Sequence, residues 1–480
     1  MRVRTLIAGF GLCLGAVLIG CGNGTTSQTS QATTGNATVN FVVTDTPPTN
    51  VTVLSFQVQI TGAVLQPGNV SILPRPVTVD LAQLVSDTGL LASTVIGSGT
   101  YTSLTMTYAN PQITFVNNTA AAITLPGLSC AAGATCTFVP ALNNASVTIS
   151  SGVFPLTVTA SSTTGLNLDL SIPDLLQTDL SVTLANGTSV NLSLLPQSSS
   201  SQQAEIDDVF GTITQVSGTQ VSMTTAFGDS LVLTSSNATK YNYPSSVCST
   251  PAASCLAVGQ VVTADLSLLG NGGLSLNTIS FAGSSGSQFI KGLVLSSNPN
   301  AATPTIQLLL QRSINTSSLS AGQIASVSLP SGISYGLGTG VYPGVSGGRF
   351  TSALDLLPGQ EVVLNVASNL TTGSSPSFTT SSVYLESSQL VGQISAVNSA
   401  TSALSINGLS GLFTGSRPII QQMNIQTDAT TAYVGFTPSS FSALTTGKFV
   451  SAKGPLFNTT GTSGYPTISA IQLRARTVGN

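Results

Sequence analysis

Histidine and tryptophan are absent from these 480 residues, and charge is scarce, with Asp, Glu, Lys and Arg together making up 6%. The missing histidine removes the usual general base of hydrolytic triads and the commonest nitrogen ligand of zinc. Gly332-Ile333-Ser334-Tyr335-Gly336 and Gly344-Val345-Ser346-Gly347-Gly348 match the nucleophile-elbow pattern. With 47 glycines such matches arise by chance, and no helical pattern follows either one. None of the lysines after the leader has a serine three residues before it, so the Ser-Lys alternative fails as well. The chain therefore reads as non-enzymatic. Without tryptophan it also lacks the side chain best suited to glycan platforms. Of its nine tyrosines, Tyr241 and Tyr243 form a close pair that suits either a barrel edge or a weak glycan contact. Scattered cations give no basic footprint, which excludes nucleic acid as a partner. No apolar run after residue 21 reaches the length of a membrane helix.

What is present starts at the N terminus. Arg2 and Arg4 precede an apolar run from Leu6 to Ile19, which ends in Leu18-Ile19-Gly20-Cys21. A basic start, a short apolar stretch and small residues before a cut make an export signal. Because a cysteine follows the cut, the segment resembles the bacterial lipoprotein signal. The resemblance implies cleavage before Cys21, a diacylglyceryl thioether on its sulfur, and palmitate-class acylation of the new amino terminus. Residues 1–20 are then the signal peptide and 21–37 a lipidated flexible tether that holds the protein to the membrane. By resemblance to Gram-negative sorting rules, Gly22 points to the outer membrane, with the domains extracytoplasmic on its periplasmic or cell-surface face. Loss of Arg2 and Arg4 leaves 10 basic against 15 acidic groups, a net charge of −5.

Four cysteines remain, in two local pairs: Cys130 with Cys136, and Cys248 with Cys255. Each flanks a loop of small residues, and in an oxidising compartment each reads as a disulfide pinning a loop tip.

From Thr38 the chain shows short alternating runs rich in β-branched residues: Val39 to Thr44, Val51 to Ile60, Val77 to Val79, Tyr101 to Tyr108, and Val147 to Thr159. One short helix is expected over Asp80 to Val85. Residues 38–196 thus suggest a β-sandwich-like domain. Val43-Thr44-Asp45-Thr46-Pro47-Pro48, Thr78-Val79-Asp80-Leu81 and Gly99-Thr100-Tyr101-Thr102-Ser103-Leu104 resemble an exported bacterial family, domain-of-unknown-function family 4382. The last of these looks like the strand ending of transthyretin-like and carbohydrate-binding-like sandwiches. The resemblance implies a fold and an address, and carries no activity.

After a polar spacer at Gln197 to Gln203, the chain repeats itself. Units open at Gly211, Gly292 and Gly392, and each carries a tyrosine, at Tyr241, Tyr335 and Tyr433. A Leu-x-x-Gly-[Gln/Lys] element recurs at Leu256 to Gln260, Leu356 to Gln360 and Leu444 to Lys448, and closing strands are expected at Ile279, Val383 and Ile471. The element reads as a turn whose glycine takes a positive φ before a strand re-enters the core. The spacing predicts three small β-barrel modules, at 204–287, 288–389 and 390–480, the middle one with an insertion from Ser334 to Arg349. They resemble OB-like exported modules of unknown function. The fold class expected is all-β, a sandwich followed by three barrels.

Asp169, Asp174 and Asp179 recur every five residues, and Asp45 and Asp80 add two carboxylates to the same domain. Together they could gather around Ca²⁺; alternatively each caps a turn or satisfies its own backbone. Glu205-Ile206-Asp207-Asp208 reads as a solvated linker cluster. The functional expectation is a cell-envelope lipoprotein with a structural, adhesive or binding role toward an envelope protein or glycan. The alternative is a calcium-, small-ligand- or glycan-binding module centred on the acidic first domain.

Overall fold

A computed structural model describes residues 36–476, apart from 47–52, 85–88, 118–120, 177–180, 196–201, 227, 245–246, 285, 317–318, 338–341, 374, 415–418 and 460–463. The signal segment, Cys21 and the tether up to residue 35 lie outside the described residues, as do Asp179 and most of the polar spacer. Strands take 58% of the structure and helix 4%, so the class is all-β.

The first domain is a sandwich of two sheets. Four strands form one, in the order Val190–Leu194, Thr163–Ser171, Asn36–Thr46, Gly89–Gly97, with Asn36–Thr46 parallel to Thr163–Ser171. The other is built on the long pair Val53–Gln66 and Ser103–Val116, flanked by Thr135–Phe138, Ser146–Ile149, Val70–Ser71 and Val77–Asp80. Alternation sets its core face, but the phase changes along both long strands. Phe56, Val58 and Ile60 point inward and then Ala63 and Leu65 do, because the register slips by one between Ile60 and Gly62. A Cβ on Gly62 would sit 2.9 Å from Thr107 Oγ1. Likewise Leu104, Met106 and Tyr108 give way to Ile113 and Phe115 past Asn110, which takes φ 51°. The expected helix is a single 3₁₀ turn, Leu81–Gln83, capped by the Asp80 side chain on Ala82 N–H. Disulfides join Cys130 to Cys136 and Cys248 to Cys255.

Three closed five-stranded barrels follow. In barrel 1 the sheet runs Ser230–Thr234, Gln220–Thr225, Gln202–Ser217, Gln260–Leu269, Leu274–Ser284, and closes by parallel pairing of Leu233 with Leu274. Barrel 2 repeats this order and closes through Val327 and Phe378, and barrel 3 closes through Ile425 and Ile468. In barrel 3 the fifth strand is split into Thr467–Ser469 and Gln472–Arg476. Each barrel holds its own apolar core.

The repeated sequence elements prove to be one contact. Gly259, Gly359 and Gly447 take φ 87°, 89° and 87°. Their N–H groups donate to the carbonyls of Ile213, Val294 and Ile394, each two residues past an opening glycine. Those opening glycines are required by close approach, since a Cβ at Gly211, Gly292 or Gly392 would lie 2.5, 2.6 or 2.8 Å from a carbonyl oxygen of the second strand. The polar residue after the turn glycine staples the 3₁₀ turn before it. Gln260 Oε1 accepts from Ala257 N–H and its Nε2 donates to Cys255 O, while Gln360 does the same with Leu357 and Asp355. Lys448 Nζ donates to Ala443 O.

Two expectations are corrected. Tyr241 pairs with Ile279 and Tyr335 with Val383, but Tyr433 pairs with Leu473, so Leu473 and not Ile471 is the equivalent closing residue. Ser334–Leu337 belongs to no insertion: it is barrel 2's copy of Lys240–Asn242, and the added chain lies after it. Part of that added chain docks on barrel 3, where Ser469 Oγ donates to Pro343 O and the Tyr342 ring lies 5.9 Å from that of Phe457.

The units also touch one another. Leu54 of the sandwich, Leu295 and Leu309 of barrel 2 and Leu412 of barrel 3 share one apolar cluster, and Phe210, Val261 and Ala282 of barrel 1 share another with Phe289, Ile314 and Val363 of barrel 2. Gln360 Nε2 reaches across to Leu456 O in barrel 3. Substituting the stapling and turn residues separates these effects. Gly447, with open space around its Cβ position, should lose only about 1 kcal/mol as Gly447→Ala. Gln360→Ala strands an N–H and two carbonyls and should cost about 3 kcal/mol in urea unfolding; equal losses would contradict this account of the repeat.

Candidate functional site

The first strand of barrel 1 carries a bulge. Between Ile206 and Val209 its register with Gln260–Leu269 shifts, and Asp208 sits there at φ 56°. Its N–H donates to Asp265 Oδ1 at 3.0 Å, and its carboxylate faces two lysines from the other barrels. Oδ1 is 3.5 Å from Lys291 Nζ of barrel 2 and Oδ2 is 3.5 Å from Lys453 Nζ of barrel 3. Lys291 also meets Glu361 Oε2 at 3.2 Å. The two lysine side chains are only 4% and 2% exposed. Arg312, on the second strand of barrel 2, feels Asp80 of the sandwich together with Asp208 and Glu361. Charges from the sandwich and all three barrels thus converge.

The environment sets protonation. Burial raises Asp208, but Lys291 and Lys453 outweigh it and hold the carboxyl below its ordinary value. Burial would lower Lys291, yet Asp208, Glu361 and Glu386 keep it protonated and push it above the usual lysine range. Glu386 goes the other way. Burial, reinforced by Asp208, Asp265 and Glu361 against the pull of Lys291, raises it to about 8, and its Oε2 has no hydrogen-bond partner.

A cavity of about 410 Å³ lies between the sandwich and barrel 1 and reaches this cluster. Its walls combine apolar residues, Val79, Leu90 and Leu91 from the sandwich with Val209, Phe210 and Leu266 from the barrel, with hydroxyl residues such as Thr78 and Ser230. Its floor contains Asp80, Asp208, Lys291, Arg312 and Glu361. At the edge Arg75 of the sandwich pairs with Asp229 of barrel 1, both about a third exposed. An ion pair so exposed is worth about 0–1 kcal/mol.

Of the aspartates expected to share a calcium ion, Asp80 and Asp174 are engaged in separate local hydrogen bonds. Asp80 accepts from Ser55 Oγ at 2.5 Å, Phe56 N–H at 2.9 Å and Ala82 N–H at 3.2 Å, and burial raises its pKa despite these bonds. Asp169 lies on Thr163–Ser171, in register with Thr44, and Asp174 accepts from Ser171 Oγ in a short helix. Asp45 occupies the Asn36–Thr46 strand opposite Leu170, and Asp179 is outside the described residues. Among the described residues no group of three Cys, Asp or Glu side chains is spaced to hold a metal ion.

The linker reading of Glu205 to Asp208 is overturned. This segment is the interior of a strand, Glu205 accepts from Gln472 of barrel 3, and Asp208 is the centre of the buried cluster. Tyr243 packs on Phe281 with ring centroids 5.6 Å apart and donates to Gln260 Oε1, which makes it part of the barrel. Sequence reasoning missed Lys291, Lys453, Arg312, Glu361 and Glu386. A signal existed: in a chain this poor in charge, Lys291 and Lys453 interrupt strands of otherwise apolar and small residues, Gln288–Asn298 and Phe449–Phe457.

No protein-family model matches the chain, and no curated protein matches its sequence.

The raised Glu386 gives a pH dependence of known sign. Above the unfolded carboxyl value of 4.5 the folded state retains a proton that the unfolded chain has released, so stability falls as pH rises and levels off past about 8. Glu386→Gln removes that contribution and should gain about 3 kcal/mol over the parent at pH 7 while matching it near pH 4. Urea melts from pH 4 to 9 read this directly, and a variant that tracks the parent at every pH would contradict the assignment.

Proposed function

We propose that this chain is a non-catalytic binding protein of the bacterial cell envelope, held to the outer membrane by lipid on Cys21, and that its ligand site is the cavity between the sandwich and barrel 1. The cavity itself carries the reading. Small-molecule sites are concave, combine apolar surface with placed polar groups and favour domain interfaces, and this cavity lies between two domains with an apolar part beside a charged one. Binding is favoured over catalysis because the carboxylates on its floor are committed to structure. Both oxygens of Asp80 accept bonds from the sandwich, and both oxygens of Asp208 face lysines. Neither is left to exchange a proton with a substrate, and no histidine is available to replace them. The two disulfides suit an extracytoplasmic address.

The test is a titration of the mature chain, produced without lipid, with N-phenyl-1-naphthylamine, an uncharged fluorophore that brightens in apolar surroundings. One site per chain is expected, and Leu90→Trp, which fills the cavity from its sandwich wall, should abolish it. No brightening, or brightening undiminished in the variant, would remove the cavity as the site.

A further inference from the structure

We infer that the ligand of this cavity is an uncharged amphiphile: an apolar chain or ring body ending in a hydroxyl or amide. This rests on the reading of the cavity as a ligand site and adds the chemistry of what enters it. The apolar part of the walls, Val79, Leu90, Leu91, Val209, Phe210 and Leu266, favours an apolar body. The floor decides the polar end. It is crowded with charge, which at first sight suits an ion, but every charge on it already faces one of opposite sign. Lys291 is held between Asp208 and Glu361 at 3.5 and 3.2 Å, Asp208 is shared with Lys453, and Arg312 lies in the field of Asp80, Asp208 and Glu361. Asp80 additionally accepts three hydrogen bonds from Ser55, Phe56 and Ala82.

A ligand carboxylate or ammonium brought to this floor would surrender its hydration and find no counter-charge to repay it. It would also compete with bonds that join the barrels. A hydroxyl or amide gives up far less, and can exchange hydrogen bonds with the Thr78 and Ser230 hydroxyls on the wall. The edge of the cavity acts in the same direction. Arg75 and Asp229 neutralise each other there, so neither sign of ligand is drawn in by a net local charge.

The experiment displaces bound N-phenyl-1-naphthylamine from the mature, lipid-free chain at pH 7 with four eight-carbon competitors: octanol, octanamide, octanoate and octylamine. Octanol and octanamide are expected to displace it at concentrations at least about tenfold below those needed for octanoate and octylamine, a difference of about 1.4 kcal/mol. All displacement should vanish in Leu90→Trp, and in Thr78→Trp as a second filling variant should the first lose its fold. If either charged competitor matches or beats the uncharged pair while the filling variants still abolish binding, the ligand class is wrong and the site stands. If the probe never binds, the site and the ligand class fall together.

Discussion

One carboxylate holds three barrels. Asp208 stands at a bulge in barrel 1, and its two oxygens face Lys291 of barrel 2 and Lys453 of barrel 3, each almost wholly withdrawn from water. Burying charges is expensive, and an ion pair of this kind is poor evidence of net stability against an apolar alternative. Its value lies in geometry. Once the charges are inside, separating barrel 1 from the other two breaks both lysine pairs of Asp208, and the loss of those pairs disfavours other arrangements of the same three modules.

The repeat explains how such a cluster arises. The residue six positions after the turn glycine is Asp265 in barrel 1, Asn365 in barrel 2 and Lys453 in barrel 3. The same structural position therefore supplies an acceptor for the Asp208 N–H in one barrel and a cation for its carboxylate in another. The scaffold of each module, built on the opening glycine, the turn glycine and the stapling Gln or Lys, is repeated, while the charge at this position is not. The cavity follows from the same arrangement, because the cluster that joins the barrels is also its floor.

Much of the fold was legible because its causes are local. β-branched alternation gives the strands, the Leu-x-x-Gly turns give the barrel repeat, and the cysteine spacing gives both disulfides. Legibility ended where the cause is distant in sequence. The phase changes at Gly62 and Asn110 depend on cross-strand register. Ile471 falls between the two pieces of a split strand, which periodicity alone does not reveal. Glu205 to Asp208 looked solvated because acidic residues beside a polar spacer usually are, and only Lys291 and Lys453, far along the chain, make burial tolerable. The cavity was invisible for the same reason, since Leu90 and Phe210 meet only after two domains have formed. Asp80 was expected as a calcium ligand; its partners are the Ala82 N–H that it caps, a serine and an arginine of barrel 2, with no metal set of three such side chains among the described residues.

The central claim is that Asp208 makes the three barrels one cooperative unit, and scanning calorimetry of the parent chain and of Asp208→Ala tests it most directly. The parent should melt residues 202–476 in a single transition whose calorimetric and van't Hoff enthalpies agree, and the variant, with two buried lysines deprived of their shared partner, should lose about 3–5 kcal/mol and resolve into separate barrel transitions. Separate transitions already present in the parent, or a variant with the same midpoint and one transition, would contradict it.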